Sequence, residues 1–177
     1  MTQSHKPIEP RLGDHVFIDV SAIVSGNVEI GDYSNIWPHA VLRGDIAKIV
    51  LGKYTNIQDL SVLHVDREDP CVVGDYVTVG HRVILHGCTI ENETLIGMGS
   101  IVLSGARIES HVVLGAGSLV PEKRVLESGF LYFGTPVKKI RELTREEIEY
   151  NIFWAKRYVE LAQSHLEGVY GRIGLVT

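Results

Sequence analysis

Cysteine is scarce in this chain, long apolar runs are missing, and positive charge is never clustered. Its two cysteines, Cys71 and Cys88, form no spacing motif and read as reduced, partly buried thiols. No stretch approaches the roughly 18 consecutive apolar residues of a membrane span, and residues 1–10 carry no apolar core of a signal peptide. A net charge of −5 with no Lys/Arg run leaves no basic face for nucleic acid. The expectation is a cytoplasmic protein with neither a membrane nor a nucleic-acid partner. At 177 residues and 45 % hydrophobic content, one domain with a full core is expected.

What the chain does contain is a repeat. Eighteen six-residue units each open on an aliphatic residue, from Leu12, Ile18, Val24, Ile30, Ile36 and Leu42 through to Ile108, Leu114 and Val120. Four places after the opener stands a small or β-branched residue, such as Ala22, Ser34, Ala40, Thr55, Ser61, Ser100 or Ser118. A period of six fits neither an α-helix nor a hairpin. It fits a parallel β-helix in which each unit is one short strand and a turn. Three strands per coil make a triangular prism, so the units predict about six coils. Opener and small residue point inward; Gly-Asp pairs such as Gly31-Asp32 and Gly74-Asp75 make the corners.

The period breaks three times. Leu42 to Leu51 is three residues too long, Leu63 to Val73 four too long, and Leu85 to Ile90 one short. At the two insertions Ile46 and Arg67 take the small inward place, and loops are expected to leave the prism there. After Val120 the repeat is read as ending. Thr144-Arg145-Glu146-Glu147 is a capping box, predicting a helix to about Leu166 that lays Ile148, Ile152, Ala155, Tyr158 or Val159, and Ala162 on the prism. The expected organisation is an N-terminal segment (1–11), a β-helix (12–125), and an irregular connection with the C-terminal helix (126–177).

Among eight histidines, five read as ordinary surface residues: His5, His15, His39, His111 and His165. His64 and His86 differ. Each is second in its unit and the units are three apart, so they stack on one face, one coil above the other. His81 is third in its unit and belongs near another corner. If prisms pack side by side about a threefold axis, His81 of one subunit can face His64 and His86 of its neighbour. Three imidazoles plus an open position suit a catalytic zinc site. Arg43 lies one coil below His64 and Asp59 one coil below His81, so the same packing brings Arg43 to Asp59. Arg43-Gly44-Asp45, taken alone, reads as a solvated turn with local charges; the column it shares with the Asp59 pairing makes the two readings even.

Ile36-Trp37-Pro38, Leu42-Arg43-Gly44-Asp45, Asn56-Ile57-Gln58-Asp59, Leu63-His64 and the run Val79 to His86 carry a likeness that extends over nearly the whole chain. On these segments the sequence resembles the gamma-class carbonic anhydrase family. The resemblance implies a left-handed hand for the all-β parallel helix, and a homotrimer with a metal at each subunit interface. Zn²⁺ is the expected ion, with Fe²⁺ or Co²⁺ also suited to three imidazoles. The ligands it implies are His64, His81 and His86, with Arg43, Asp59 and Asp45 at the subunit contact. It gives Gln58 the role of positioning the metal-bound water, places Asn56 in the same network, and sets Tyr132 over the site. The implied reaction is reversible hydration of CO₂ to bicarbonate by metal-bound hydroxide.

The sequence departs from the best-known active members of that family at two places. Ile46 stands where they have a glutamate after Asp45, and no long acidic loop follows His64. Asp66, Glu68 and Asp69 are the nearby acids, and weak activity is the expectation. Two other readings use the same repeat. One is a hexapeptide acyltransferase acting through coenzyme A, which needs only one histidine as general base. The other is a metal-stabilised trimeric scaffold that has lost its proton shuttle.

Overall fold

The computed structural model describes residues 7–171; His5 lies outside them. Nineteen short strands and one helix make up the described residues. Every strand pairing but one is parallel, and each partner lies one coil away. The chain is therefore a three-sided prism wound in parallel coils, with the C-terminal helix on one side.

The three faces have distinct compositions. The histidine face stacks Ile23–Ser25, Val41–Arg43, Val62–His64, Ile84–His86, Ile101–Val102 and Leu119–Val120. A second, polar face stacks the strands that end on Leu12, Ile30, Leu51, Val73, Ile90, Ile108 and Leu126. The third, covered by the helix, stacks seven parallel strands from Phe17–Ile18 to Phe130–Phe133. Seven strands on this face mean about seven turns, one more than the unit count predicts.

The repeat chemistry accounts for this winding. The openers Ile36, Leu42, Ile57, Leu63, Leu85, Ile96 and Leu114 are wholly buried and fill a narrow core that holds one large and one small side chain per unit. The small inward hydroxyls also join successive coils. Ser34 Oγ donates to the Gly52 carbonyl (2.7 Å) and accepts from the Thr55 N–H (3.0 Å). Thr55 and Ser61 repeat the pattern one coil and one corner further on. A buried hydroxyl is tolerated because both of its roles are used.

At one corner Tyr33, Tyr54 and Tyr76 adopt φ of 59°, 55° and 55°, a left-handed conformation unfavourable for a side chain with a Cβ. Their rings stack at 4.9 Å, and the His15 ring continues the ladder. His15 is thus a stacking residue. Ring contact partly offsets the backbone cost.

Three expectations need correcting. The repeat does not end at Val120, nor the prism at 125. Leu126 and Tyr132 continue the inward rows at six-residue spacing, pairing above Ile108 and Leu114, and both are buried. The antiparallel strand Lys138–Glu142 then closes the end of the helix face. No loop leaves at the first insertion either: Val41–Leu51 is one continuous strand bent across the corner against Ile23–Ile30. Finally, Ile46 is exposed and so is Arg67; the inward places belong to Ile49 and Cys71. The second insertion, residues 65–70, does form a loop.

Cys71 and Cys88 are inward residues on adjacent coils, wholly rather than partly buried, and free. The Cys71 side chain and burial both push the Cys88 thiol up, which keeps Cys88 protonated and unreactive.

The helix spans Arg145–Leu166. Thr144 caps it, accepting from the Glu147 N–H, while the Glu147 carboxylate accepts from the Thr144 N–H. Its buried stripe is Asn151, Ala155 and Ala162, and Asn151 donates to the Glu93 carbonyl of the prism. Phe17 and Trp37 meet it with Tyr158 and Leu161. His165 packs edge-on to Trp37 (5.1 Å), a structural contact.

Candidate functional site

Parallel pairing puts His64 directly beside His86, one coil apart on the outer side of the histidine face. His64 Nδ1 stands 3.2 Å from His86 Nε2. Two imidazole nitrogens bound tetrahedrally to one ion at roughly 2.0–2.1 Å are separated by about 3.3 Å. The pair has the spacing of two ligands of one metal.

The remaining nitrogen of each ring is held. His64 Nε2 meets Asp45 Oδ1 at 3.1 Å, and His86 Nδ1 meets Ser104 Oγ at 2.9 Å. Second partners of this type fix ring orientation at metal sites. Partial desolvation pushes the Asp45 carboxyl up, but hydrogen bonds from Arg43 and His64 outweigh it and hold Asp45 below the ordinary carboxylate range. Sequence reasoning missed Ser104. A hydroxyl two places into a turn is too common to single out.

His81 lies at the corner after the helix face, away from the pair. Its Nδ1 meets Asp59 Oδ2 at 2.8 Å, and its Nε2 makes no hydrogen bond among the described residues. It shows the same arrangement: one nitrogen oriented by a neighbour, the other available. Among the described residues, no three His, Cys, Asp or Glu side chains of one chain converge to hold a metal.

Arg43 pairs with Asp45 inside the chain, and Asp59 with His81, so Arg43 and Asp59 do not meet within one protomer. Both acids and Arg43 are about half exposed (38–49 %), at the edges of their faces. Gln58 and Asn56 do share a network. Gln58 Nε2 donates to Asn56 Oδ1 (3.0 Å), and Asn56 Nδ2 donates to Thr78 Oγ1 (2.9 Å). This network lies on the helix face, on the coil below His81. Tyr158 of the helix borders the same region, and desolvation, then the Asp59 charge, raises its phenol pKa.

Tyr132 is not where the resemblance puts it. It takes the inward register of Leu114, is 1 % exposed, and its hydroxyl accepts from the Glu127 N–H at 2.9 Å. It is a core residue of the last coil of the helix face.

One further feature was not read from the sequence. The residue before each opener on the histidine face is aliphatic in every coil: Ile23, Val41, Val62, Ile84, Ile101 and Leu119. Ile23, Val62 and Ile84 are exposed (56, 37 and 40 %). The stripe runs beside the row Arg43, His64, His86. The three exposed members make an apolar strip on the surface of an otherwise acidic chain. The signal was available in the sequence, at the position before each opener.

Comparison with known proteins gives a consistent set of relatives. The family model "Bacterial transferase hexapeptide (six repeats)" matches residues 9–44 and 87–122. Protein YrdA of Escherichia coli (strain K12) is 48 % identical over 170 residues, 92 % of each chain. A probable carbonic anhydrase of Methanocaldococcus jannaschii is 48 % identical over 86 % of this chain and 96 % of the relative. The mitochondrial gamma carbonic anhydrase 2 of Arabidopsis thaliana is 44 % identical over 88 % of this chain and 58 % of that longer protein. Among solved structures, a putative acetyltransferase of Bacillus cereus matches with a TM-score of 0.88 and 40 % identity, covering 91 % and 94 % of the two chains.

Proposed function

The chain belongs to the gamma-class carbonic anhydrase family, and from that premise we propose that it hydrates CO₂ reversibly at a metal site shared between protomers of a trimer. His64 and His86 of one protomer and His81 of the next would hold the ion. Zn²⁺, Fe²⁺ and Co²⁺ all suit three neutral imidazoles. The observation that carries this reading is the 3.2 Å approach of His64 Nδ1 and His86 Nε2, with the other nitrogen of each ring already engaged.

A divalent ion in such a site supplies a water that ionises near neutral pH and Lewis acidity toward substrate oxygen. The protein's own part is to orient and to dispose of a proton. Asp45, Ser104 and Asp59 fix the three rings, so that no reorganisation is needed at the moment of reaction. Gln58 and Asn56 hold a hydrogen-bonding edge on the His81 side. The exposed acids Asp66 and Glu68 lie on the loop that follows His64, where a carboxylate can carry a proton to solvent. The aliphatic stripe beside His64 and His86 supplies the contact that brings a second protomer's His81 to them, and Arg43 and Asp59 then stand where they can pair.

The test is complementation. Neither His64→Ala nor His81→Ala protein should bind metal stoichiometrically or hydrate CO₂ in stopped-flow assays after anaerobic loading. Co-refolded, each mixed trimer should regain one intact interface, with metal and activity together. If the mixtures stay metal-free, the site is not shared between protomers.

A transferase reading draws on the Bacillus cereus neighbour's printed name. It predicts acetyl transfer from acetyl-coenzyme A that survives chelation and needs only one of the three histidines. A metallated trimer inactive in both assays would instead support the scaffold reading.

A further inference from the structure

A cavity of 420 Å³ lies between the prism's helix face and the C-terminal helix, ending at His81. Its floor is a consequence of the repeat. In the register position just after each opener from Ile36 onward the helix face carries Trp37, Gln58, Gly80, Gly97, Gly115 and Phe133. Large side chains stand at both ends and three glycines in the middle. At Gly97 a Cβ would come within 2.5 Å of the Ala116 backbone nitrogen, so close coil contact requires glycine there and leaves a hollow above it. Leu95 and Val113 flank the hollow, while Trp154 and Tyr158 of the helix wall it.

One end is polar and its hydrogen-bonding capacity is not used up. Gln58 and Thr78 are each only 5 % exposed. Gln58 spends one amide proton on Asn56 and keeps the other, with its carbonyl oxygen also unpaired among the described residues. Thr78 accepts from Asn56, and its own hydroxyl proton has no acceptor among them. Two donor protons and an acceptor are thus left facing the cavity, where a ligand or water can take them up. No lysine, arginine or carboxylate lines the space. It therefore offers nothing to the phosphates of a nucleotide-bearing cofactor. The volume is also in the ligand-site range of about 300–1,000 Å³, far above what CO₂ occupies.

We propose that this cavity binds a neutral carbonyl compound with a short aliphatic body, a primary amide being the best match. The carbonyl oxygen would accept from Thr78 and Gln58, the amide N–H would donate to the Gln58 carbonyl, and the chain would lie along the glycine floor. The proposal rests on the carbonic anhydrase reading only in placing this ligand beside His81. It is therefore tested on chelator-treated, metal-free protein.

Hexanamide is titrated by saturation-transfer NMR, with hexylammonium as the charged control that lacks an acceptor. Saturable hexanamide binding is expected, at least tenfold weaker in Val113→Trp, which fills the hollow, and absent for hexylammonium. Ala116→Trp at the exposed rim is the second filling variant and decides the matter if Val113→Trp does not fold. Binding undiminished in the filled variant, equal binding of hexylammonium, or no saturable binding overturns the proposal. So does dissociation of the assembly by Ala116→Trp, since the rim would then belong to a subunit contact. Failure of metal binding with hexanamide binding retained would sink the proposed function and leave this inference standing.

Discussion

The histidine face and the polar face share one inward code and differ in what they show to solvent. Inside, both present buried aliphatic openers: Leu42, Leu63 and Leu85 on one, Leu51, Val73 and Ile90 on the other. Outside, the histidine face has an aliphatic residue before every opener. The polar face has Arg11, Glu29, Thr89 and Arg107 among its valines, with ion pairs Arg11–Glu29, Lys48–Glu29 and Arg107–Glu91. The fold is thus specified by the inward rows, and function by the outward ones. That division explains why a hexapeptide repeat alone does not separate a carbonic anhydrase from a transferase.

The same charge placed on each face gives the sharpest contrast. Ile84→Glu buries a carboxylate in the proposed contact beside His86, at a cost of about 2–5 kcal/mol per interface. Light scattering should show monomer at micromolar concentration, with metal lost. Val72→Glu, at the equivalent position on the polar face, should leave the assembly unchanged. If both variants assemble alike, the stripe is not the contact surface.

The next effect stays within the histidine row. Ser104→Ala frees His86 Nδ1 without touching a ligand atom, and loss of such a partner typically weakens metal binding about 10–100-fold. Chelator competition measures it. An unchanged affinity would mean that the strand alone orients the ring.

How much of this was legible follows from which constraint acts at each residue. The inward rows were readable because a narrow prism admits few side-chain volumes. The same rule was stopped at Val120 one unit too soon, since Leu126 obeys it, and being stated for aliphatic residues it could not extend to Tyr132. The stacking of His64 on His86 followed from unit arithmetic, and so did the nearness of Asp59 to His81, now seen at 2.8 Å. Ile46 was misplaced because an insertion was read as a loop, whereas the chain bridges that corner as a strand bent against Ile23–Ile30. The glycine-floored cavity depends on where a helix of remote sequence lies, which no local pattern records.

A smaller effect tests the edge of the histidine face. Arg43→Ala should weaken each subunit contact by up to about fivefold, the range of a partly exposed charge pair. Asp59→Ala should do the same, and the double variant should add little to either if the two residues pair across the interface. Full additivity, read by sedentation-equilibrium dissociation constants, would mean that each acts only through its partner in the same chain, Asp45 or His81.

The helix cap sets the lower limit, since it touches neither face being compared. Hydrogen bonds from Arg141, then the Thr144 backbone, hold the Glu147 carboxyl at about 2 against an ordinary 4.5. A depressed pKa stabilises the fold above the unfolded value, and that contribution is lost as the pH falls from 4.5 towards 2. Glu147→Gln should therefore lower the melting temperature slightly at neutral pH, with the gap closing through that window. Because the pair is solvent-exposed, added salt should shrink the gap as well. A gap independent of pH would assign the cap's contribution to geometry, which glutamine reproduces only in part, and not to charge. Metal content should not change in either case, because the capped end is held to the prism by Asn151 and the Glu93 carbonyl, at the corner between the polar and helix faces and not the one that carries His81.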